Sequence, residues 1–273
     1  MNNSAGRVLI FLCLLIPLGS LAQTSHRSEI GVFAGISNYE GSIAPDPVFK
    51  ESHPAFGIVY KRDANEYFSY TASANYGTIS GNDSNGKSTT PRGLKFQSNI
   101  FEVSGQIEFN FFNFGTALDR DARRFSPYVF TGLSFFHFDP TASYQGVVYH
   151  LQSENTSGQG FAPGAPSKYS LWQFAIPIGG GMKFNLNEHF NLLIFAGYRA
   201  TFTSDLDDAG SGNYAANSLI LENKGNVGSY FASPTGIGTA GVQRGNPDKK
   251  DWYMFYGVTL SYIIPGRVCP FPY

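Results

Sequence analysis

Between Phe96 and Phe111 the chain changes character at almost every step. Phe101, Val103, Ile107, Phe109 and Phe111 share one parity, and Glu102, Ser104, Gln106, Glu108 and Asn110 share the other. Successive side chains of a strand point to opposite faces, so this segment belongs in a sheet with one greasy and one polar face. The same sorting recurs from Trp172 to Phe184, where Trp172, Phe174, Ile176, Ile178, Met182 and Phe184 oppose Gln173, Ala175, Gly179, Gly181 and Lys183. It recurs again from Phe190 to Phe202, with Arg199 opposite the apolar set. Weaker strands are expected over Glu29 to Ile36, Ala55 to Arg62, Tyr67 to Ile79, Phe125 to Phe138 and Trp252 to Ile264, which makes eight. Val129 to Phe135 and Tyr253 to Ile263 are apolar on both parities, so pattern alone does not assign their faces.

The connections alternate in length. Ser37 to Pro54, Ser80 to Gly93, Asp139 to Lys168 and Thr203 to Asp251 are long, whereas Asp63 to Glu66, Gly115 to Arg124 and Asn185 to His189 are short. Both chain ends fall on the short side, the layout of an outer-membrane barrel. After residue 22 no apolar run is long enough for a spanning helix, so entry into a bilayer requires a closed sheet. The expected fold is all-β: an eight-stranded antiparallel transmembrane β-barrel with short periplasmic turns and long extracellular loops. Only 14% of residues are charged while 16% are aromatic, too little charge to clothe a large soluble surface. A formal net charge of −1 without a basic stripe argues against nucleic acid as a partner.

Arg7, the apolar stretch Val8 to Leu18, and small residues at Ser20 and Ala22 read as a secretory signal peptide cut before Gln23. The expected organisation is a signal peptide at 1–22, a barrel at 23–264 and a tail at 265–273. Cys13 lies within the signal, which leaves Cys269 as the lone thiol, free or bonded to another chain.

A Lys or Arg facing lipid at mid-bilayer costs about 2–4 kcal/mol, so Lys183 and Arg199 are expected to point inward. Glu102 and Glu108 share that narrow interior, and the four are expected to form an ion-pair network that plugs the barrel. Gly179, Gly181 and Gly197 would relieve crowding there. Aromatics near strand ends, such as Tyr67-Phe68, Phe111-Phe112-Phe114, Trp172 and Trp252-Tyr253, are expected to form interfacial girdles. Pro177, inside a strand paired on both edges, calls for a bulge.

Chemistry is sparse. The five histidines show no metal-ligand spacing, and Asp205, Asp207 and Asp208 form only a fragment of a calcium loop, more simply a solvated one. The one nucleophile and base pairing that suggests itself is His137 with Ser134 or Ser143. No cofactor, metal or catalytic residue is expected.

The chain resembles the PorG-like outer-membrane proteins of the type IX secretion system of Bacteroidetes. The stretches that carry the resemblance are EIGVFAGISNYEG from Glu29, PAFGI from Pro54, IFEVSGQIEFNFF from Ile100, PYVFTGLSFFHFDP from Pro127, IPIGGGMK from Ile176, GYR from Gly197 and RGNPDKKDWY from Arg244. They span nearly the whole mature chain, although Ala209 to Gln243 is less typical. The resemblance implies a non-enzymatic part of a protein-export and gliding machine that contacts a periplasmic ring built from a lipoprotein and its partner. On the expected topology such a partner meets only the short-turn side. Candidate contacts there are Asp119, Arg120, Asp121, Arg123 and Arg124 in one connection, the turn 185–189, and Arg267, Cys269 and Pro270 in the tail, with Cys269 expected to form a disulfide with a ring component. A stand-alone structural barrel, or an outer-membrane enzyme acting on lipid or peptide, are the alternative readings.

Overall fold

The structure is a computed structural model that describes residues 27–85, 92–116, 122–161, 165–210, 212–246 and 248–264 of the 273. In chain order the strands are β1 (Ser28–Glu40), β2 (His53–Asp63), β3 (Phe68–Asn82), β4 (Lys95–Asn110), β5 (Phe125–His137), β6 (Pro140–Tyr144), β7 (Val147–His150), β8 (Trp172–Asn185), β9 (Phe190–Thr201) and β10 (Trp252–Ile264). Each predicted strand is present. Several run further toward the long-loop end than the alternation alone suggests: β1 continues to Glu40 because Ser37, Asn38 and Tyr39 pair with Phe255, Met254 and Tyr253.

Neighbours run β3-β2-β1-β10-β9-β8-β5-β4, all antiparallel, and pairing of β3 with β4 closes an eight-stranded barrel. Cross-strand partners followed once around lead from Ser28 through Arg62, Tyr70, Ile107, Thr131, Ile178, Tyr198 and Met254 back to β1 at Asn38, a stagger of ten residues. With ordinary strand spacing and rise, that stagger tilts the strands by about 40° and leaves a lumen only wide enough for side chains.

The outer face is apolar and the inner face polar. Val32 is 60% exposed and Ile58 62%, while Glu102 is 0%, Lys183 1% and Arg199 1% exposed. A water-soluble barrel has the reverse arrangement. A continuous apolar wall around buried charge is the mark of a barrel solvated by lipid. The two ambiguous strands follow the same rule: Val129, Leu133 and Phe135 face out and Tyr128, Phe130 and Phe136 in, while Val258 and Leu260 face out and Tyr253, Phe255 and Thr259 in. At the rim Trp172 stacks on Phe135 with centroids 5.1 Å apart.

Pro177 sits in no bulge. The β5–β8 ladder holds one register from Thr131↔Ile178 to Ser134↔Ala175 and merely omits the pairs at Pro177 and Ile176, while Pro177 stays paired with Arg199 on β9. The ladder toward β5 is interrupted at Pro177, which has no N–H to donate, and the register on both sides of the gap is the same, so no residue is inserted.

The long loops carry structure that the sequence does not announce. β6 and β7 form a hairpin that continues the β4 edge through Gln97↔Thr141 and Ser98↔Pro140. A short helix α1 (Leu151–Glu154) follows it, and α2 (Asn217–Ala232) lies in the last loop, broken at Gly225 where φ is 65°. No helix among the described residues is long and apolar enough to cross a membrane.

Candidate functional site

Two charge centres fill the lumen. Nearer the short turns, the Glu108 carboxylate lies 2.6 Å from Lys183 Nζ and 3.2 Å from Lys61 Nζ, and Thr71 Oγ1 donates to it at 2.6 Å. Lys183 also sits over the Tyr128 ring, 4.6 Å from its centroid. Beside them Asn191 Nδ2 and Ser261 Oγ donate to Glu29. Nearer the long loops, Arg199 grips Glu102 with both arms of its fork, Nε at 3.0 Å and Nη2 at 3.2 Å. Tyr253 Oη donates to Glu102 at 2.6 Å and Asn75 Nδ2 at 2.9 Å, so every lone pair of this buried carboxylate is engaged.

The four residues predicted to form one network therefore separate into two pairs, each recruiting partners the sequence did not flag. Lys61 adjoins Arg62, and only the outward parity of Phe56, Ile58 and Tyr60 tells that Lys61 is the inward member. Tyr253, expected with Trp252 in an interfacial girdle, instead points inward and is fully buried, because its strand is greasy on both faces and alternation alone did not assign its side. Between the centres runs an aromatic layer, Phe33 packed on Phe195 at 5.2 Å and Phe130 on Phe195 at 6.1 Å. Gly179 and Gly197 make room for it: a Cβ at either would come within 2.5 and 2.8 Å of Phe130 Cζ. Gly181 does something else, since a Cβ there would collide with the backbone of β9 at Ile194. The space left in this layer is about 40 Å³, room for a water or two and not for a channel.

At the short-turn end, Arg123 covers the Phe112 ring at 4.5 Å and Arg124 Nη2 donates to Leu186 O at 3.2 Å, which ties the 115–124 connection to the 185–189 turn. Asp119, Arg120, Asp121, Arg267, Cys269 and Pro270 lie outside the described residues.

At the other end the long loops fold into a cap whose core is continuous with the aromatic residues of the lumen. Ile43, Leu94, Leu151, Leu206 and Phe231 are buried there, drawn from all four loops. Arg244 is the fastener: it donates to the carbonyls of Ala232 and Phe231 at 3.3 Å each, to Ser157 Oγ at 3.4 Å and to Asp208 O, and lies 3.7 Å from the Asp208 carboxylate. Arg92 Nη2 donates to Ser42 O at 2.9 Å and its Nη1 to Arg244 O, joining the first, second and last loops.

The aspartates expected in a solvated loop are the cap's buried acceptors. Asp207 is 1% exposed and takes hydrogen bonds from Tyr39 Oη, from Ile43 N at 3.0 Å and from Ala209 N at 2.8 Å. Asp208 is 0% exposed and takes them from Tyr169 Oη at 2.8 Å and from Thr156 Oγ1. Burial pushes both carboxyls above the usual carboxylate range, against the opposing pull of Arg244 and these donors. Spacing resembling a calcium loop arises here because these acids hydrogen-bond the cap together. No group of three metal-ligating side chains forms among the described residues.

The His137 pairing does not form. Ser134 points inward and donates to Ala175 O at 3.2 Å, whereas His137 points outward against Trp172 at 4.7 Å, because three residues of separation on a strand put them on opposite faces. Ser143 donates to Val147 O at 3.4 Å instead. A serine and a histidine do meet elsewhere: Ser80 Oγ lies 2.8 Å from His53 Nε2 and donates to Glu51 at 2.6 Å. With its proton committed to Glu51, Ser80 receives a hydrogen bond from His53, so the imidazole is no base for it and the trio clamps the first loop to β3.

Solved structures of similar fold include Ail, the attachment invasion locus protein of Yersinia pestis, in complex with the heparin analogue sucrose octasulfate: 12% identity, 88% of this chain and 100% of that one covered, TM-score 0.42. Neisserial surface protein A matches at 8% identity over 86% of this chain and 96% of its own, TM-score 0.41. The outer membrane protein OprG from Pseudomonas aeruginosa matches at 10% identity over 88% and 96%, TM-score 0.39. No curated protein matches the chain. A family model described as a domain of unknown function, DUF6089, covers residues 7–235, and the chain belongs to that family.

Proposed function

We propose that this protein is a non-enzymatic, non-conducting outer-membrane anchor of the type IX secretion and gliding machinery. Its short-turn end and both termini face the periplasm, and its cap faces outward. The observation that carries the reading is the resemblance of ordered segments from Glu29 to Tyr253 to the PorG-like proteins. The filled lumen supports it, since a barrel plugged by Glu102–Arg199 and by Lys61–Glu108–Lys183 serves as a post and not as a conduit. The contact face comprises the connection bearing Asp119, Arg120, Asp121, Arg123 and Arg124 together with the tail bearing Arg267, Cys269 and Pro270, and Cys269 bonds to a cysteine of a ring component.

Mild detergent extraction followed by pull-down of the tagged chain tests the proposal. The ring lipoprotein and its partner should co-purify, and a non-reducing gel should carry a larger band that disappears in Cys269→Ser. Recovery of the barrel alone would leave it a stand-alone structural protein. Co-purification with only a monomer-sized band would remove the disulfide and keep the anchor.

A further inference from the structure

The cap holds an open-mouthed cavity that an anchoring role does not use. It measures about 390 Å³, within the range of small-molecule sites and room for roughly a dozen ligand atoms. Its depth is apolar and aromatic, with Ile43, Leu94, Phe96 and Phe231 all buried, and Tyr230, 37% exposed, stands at its edge. Tyr230 is braced by Tyr144 at 4.4 Å, and Phe231 by Tyr149 at 5.5 Å, so the aromatic wall is held by the β6–β7 hairpin. A rigid wall of this kind favours a flat ring.

The polar lining divides by depth. Asp207 and Arg244, at the buried end, have their hydrogen-bonding capacity spent inside the cap. Lys95 is exposed at the mouth and makes no ion pair with a described residue, and Gln97 and Ser143 stand exposed beside it. An ammonium over an aromatic-walled cavity selects a carboxylate borne on a ring. We propose that this cavity binds a small aromatic carboxylate, its ring between Phe96 and the Tyr230–Phe231 wall and its carboxylate on Lys95.

The test uses the full-length protein refolded in detergent micelles, with 4-fluorophenylacetate as probe and fluorine NMR as readout, empty micelles serving as the blank. Saturable binding is expected, three- to ten-fold tighter than that of the neutral analogue 2-(4-fluorophenyl)ethanol, the gain typical of a partly desolvated charged contact. Lys95→Met should erase the preference for the acid, and Ala142→Trp should abolish binding by occupying the cavity. Val148→Trp, at an exposed lining position, is a second occluding variant, and heat-modifiable gel migration reports that each barrel is folded. Only non-saturable partitioning, equal in both tryptophan variants, would overturn the site. Equal affinity for acid and alcohol, or binding indifferent to Lys95→Met, would overturn the carboxylate assignment.

Discussion

Removing Glu102 should cost far more than removing Glu102 and Arg199 together. In Glu102→Leu the Arg199 guanidinium stays 1% exposed with no carboxylate, and breaking one side of a buried pair costs about 3–5 kcal/mol. Tyr253 and Asn75 also lose their acceptor, which adds about 1 kcal/mol or more. Arg199→Met leaves Glu102 charged but still holding those two donors, so its loss falls near the lower end, about 3 kcal/mol. The double variant buries no charge and fills similar volume with apolar atoms, leaving only the orphaned tyrosine and asparagine groups, about 1–3 kcal/mol in all. The interaction energy of the cycle is therefore about 3 kcal/mol or more. Urea unfolding in lipid vesicles, followed by the fluorescence of Trp172 and Trp252, measures each corner. If the two single losses sum to the double within about 0.5 kcal/mol, the charges are separately hydrated and the sealed-lumen argument fails.

Gly197→Ala should destabilise the barrel by about 1–3 kcal/mol in the same unfolding assay, because the new methyl presses on Phe130 Cζ at 2.8 Å and on Arg199 Nη1 at 2.6 Å. Arg244→Met should loosen the cap and leave the barrel intact: limited proteolysis should cut the 202–251 loop at least ten-fold faster, with heat-modifiable migration unchanged. The buried carboxyls make the cap sensitive to pH in a defined sense. With Asp207 and Asp208 raised above their unfolded value near 4, the closed cap holds protons more tightly than the open one, so its stability falls as pH rises above about 4 and levels off beyond the folded pKa values. Hydrogen exchange at Leu206 and Ala209, corrected for intrinsic rate, should be slower at pH 5 than at pH 8, and the opposite order would contradict the sign. Planar bilayers containing the protein should show no large stable conductance, and a steady open level would contradict the plug.

What the sequence disclosed followed from geometry that recurs at every residue. Alternation in β4, β8 and β9 needs only a lipid face and a lumen face, and the inward side of Glu102, Glu108, Lys183 and Arg199 was legible from it. Pairing across the lumen was not, because it depends on the ten-residue stagger, which no single strand reveals. The stagger brings Lys61 of β2 to Glu108 of β4 beside Lys183 of β8, three residues with no local relation. The cap was hidden for another reason. Asp207, Asp208 and Arg244 are polar residues in Gly- and Ser-rich loops, and such composition ordinarily signals solvent. Here it signals a core closed by hydrogen bonds, and α2, interrupted by Gly225, carries no clean amphipathic stripe to betray it.

The segment Arg244 to Tyr253 joins these parts. Arg244 fastens the cap, Asp251 receives Leu206 N at 3.0 Å below it, and Tyr253 reaches Glu102 in the lumen, so one segment touches both cap and plug. A channel through this barrel would have to part both charge centres at once, since each spans the lumen by itself. Glu102 alone would have to release four hydrogen bonds, and Glu108 its two lysines and Thr71, before water could pass. Glu102 and Arg199, joined to β10 through Tyr253, lie between the short-turn charge centre and the cap, so displacing one from the other is one route by which an event at the short-turn end would reach the cap.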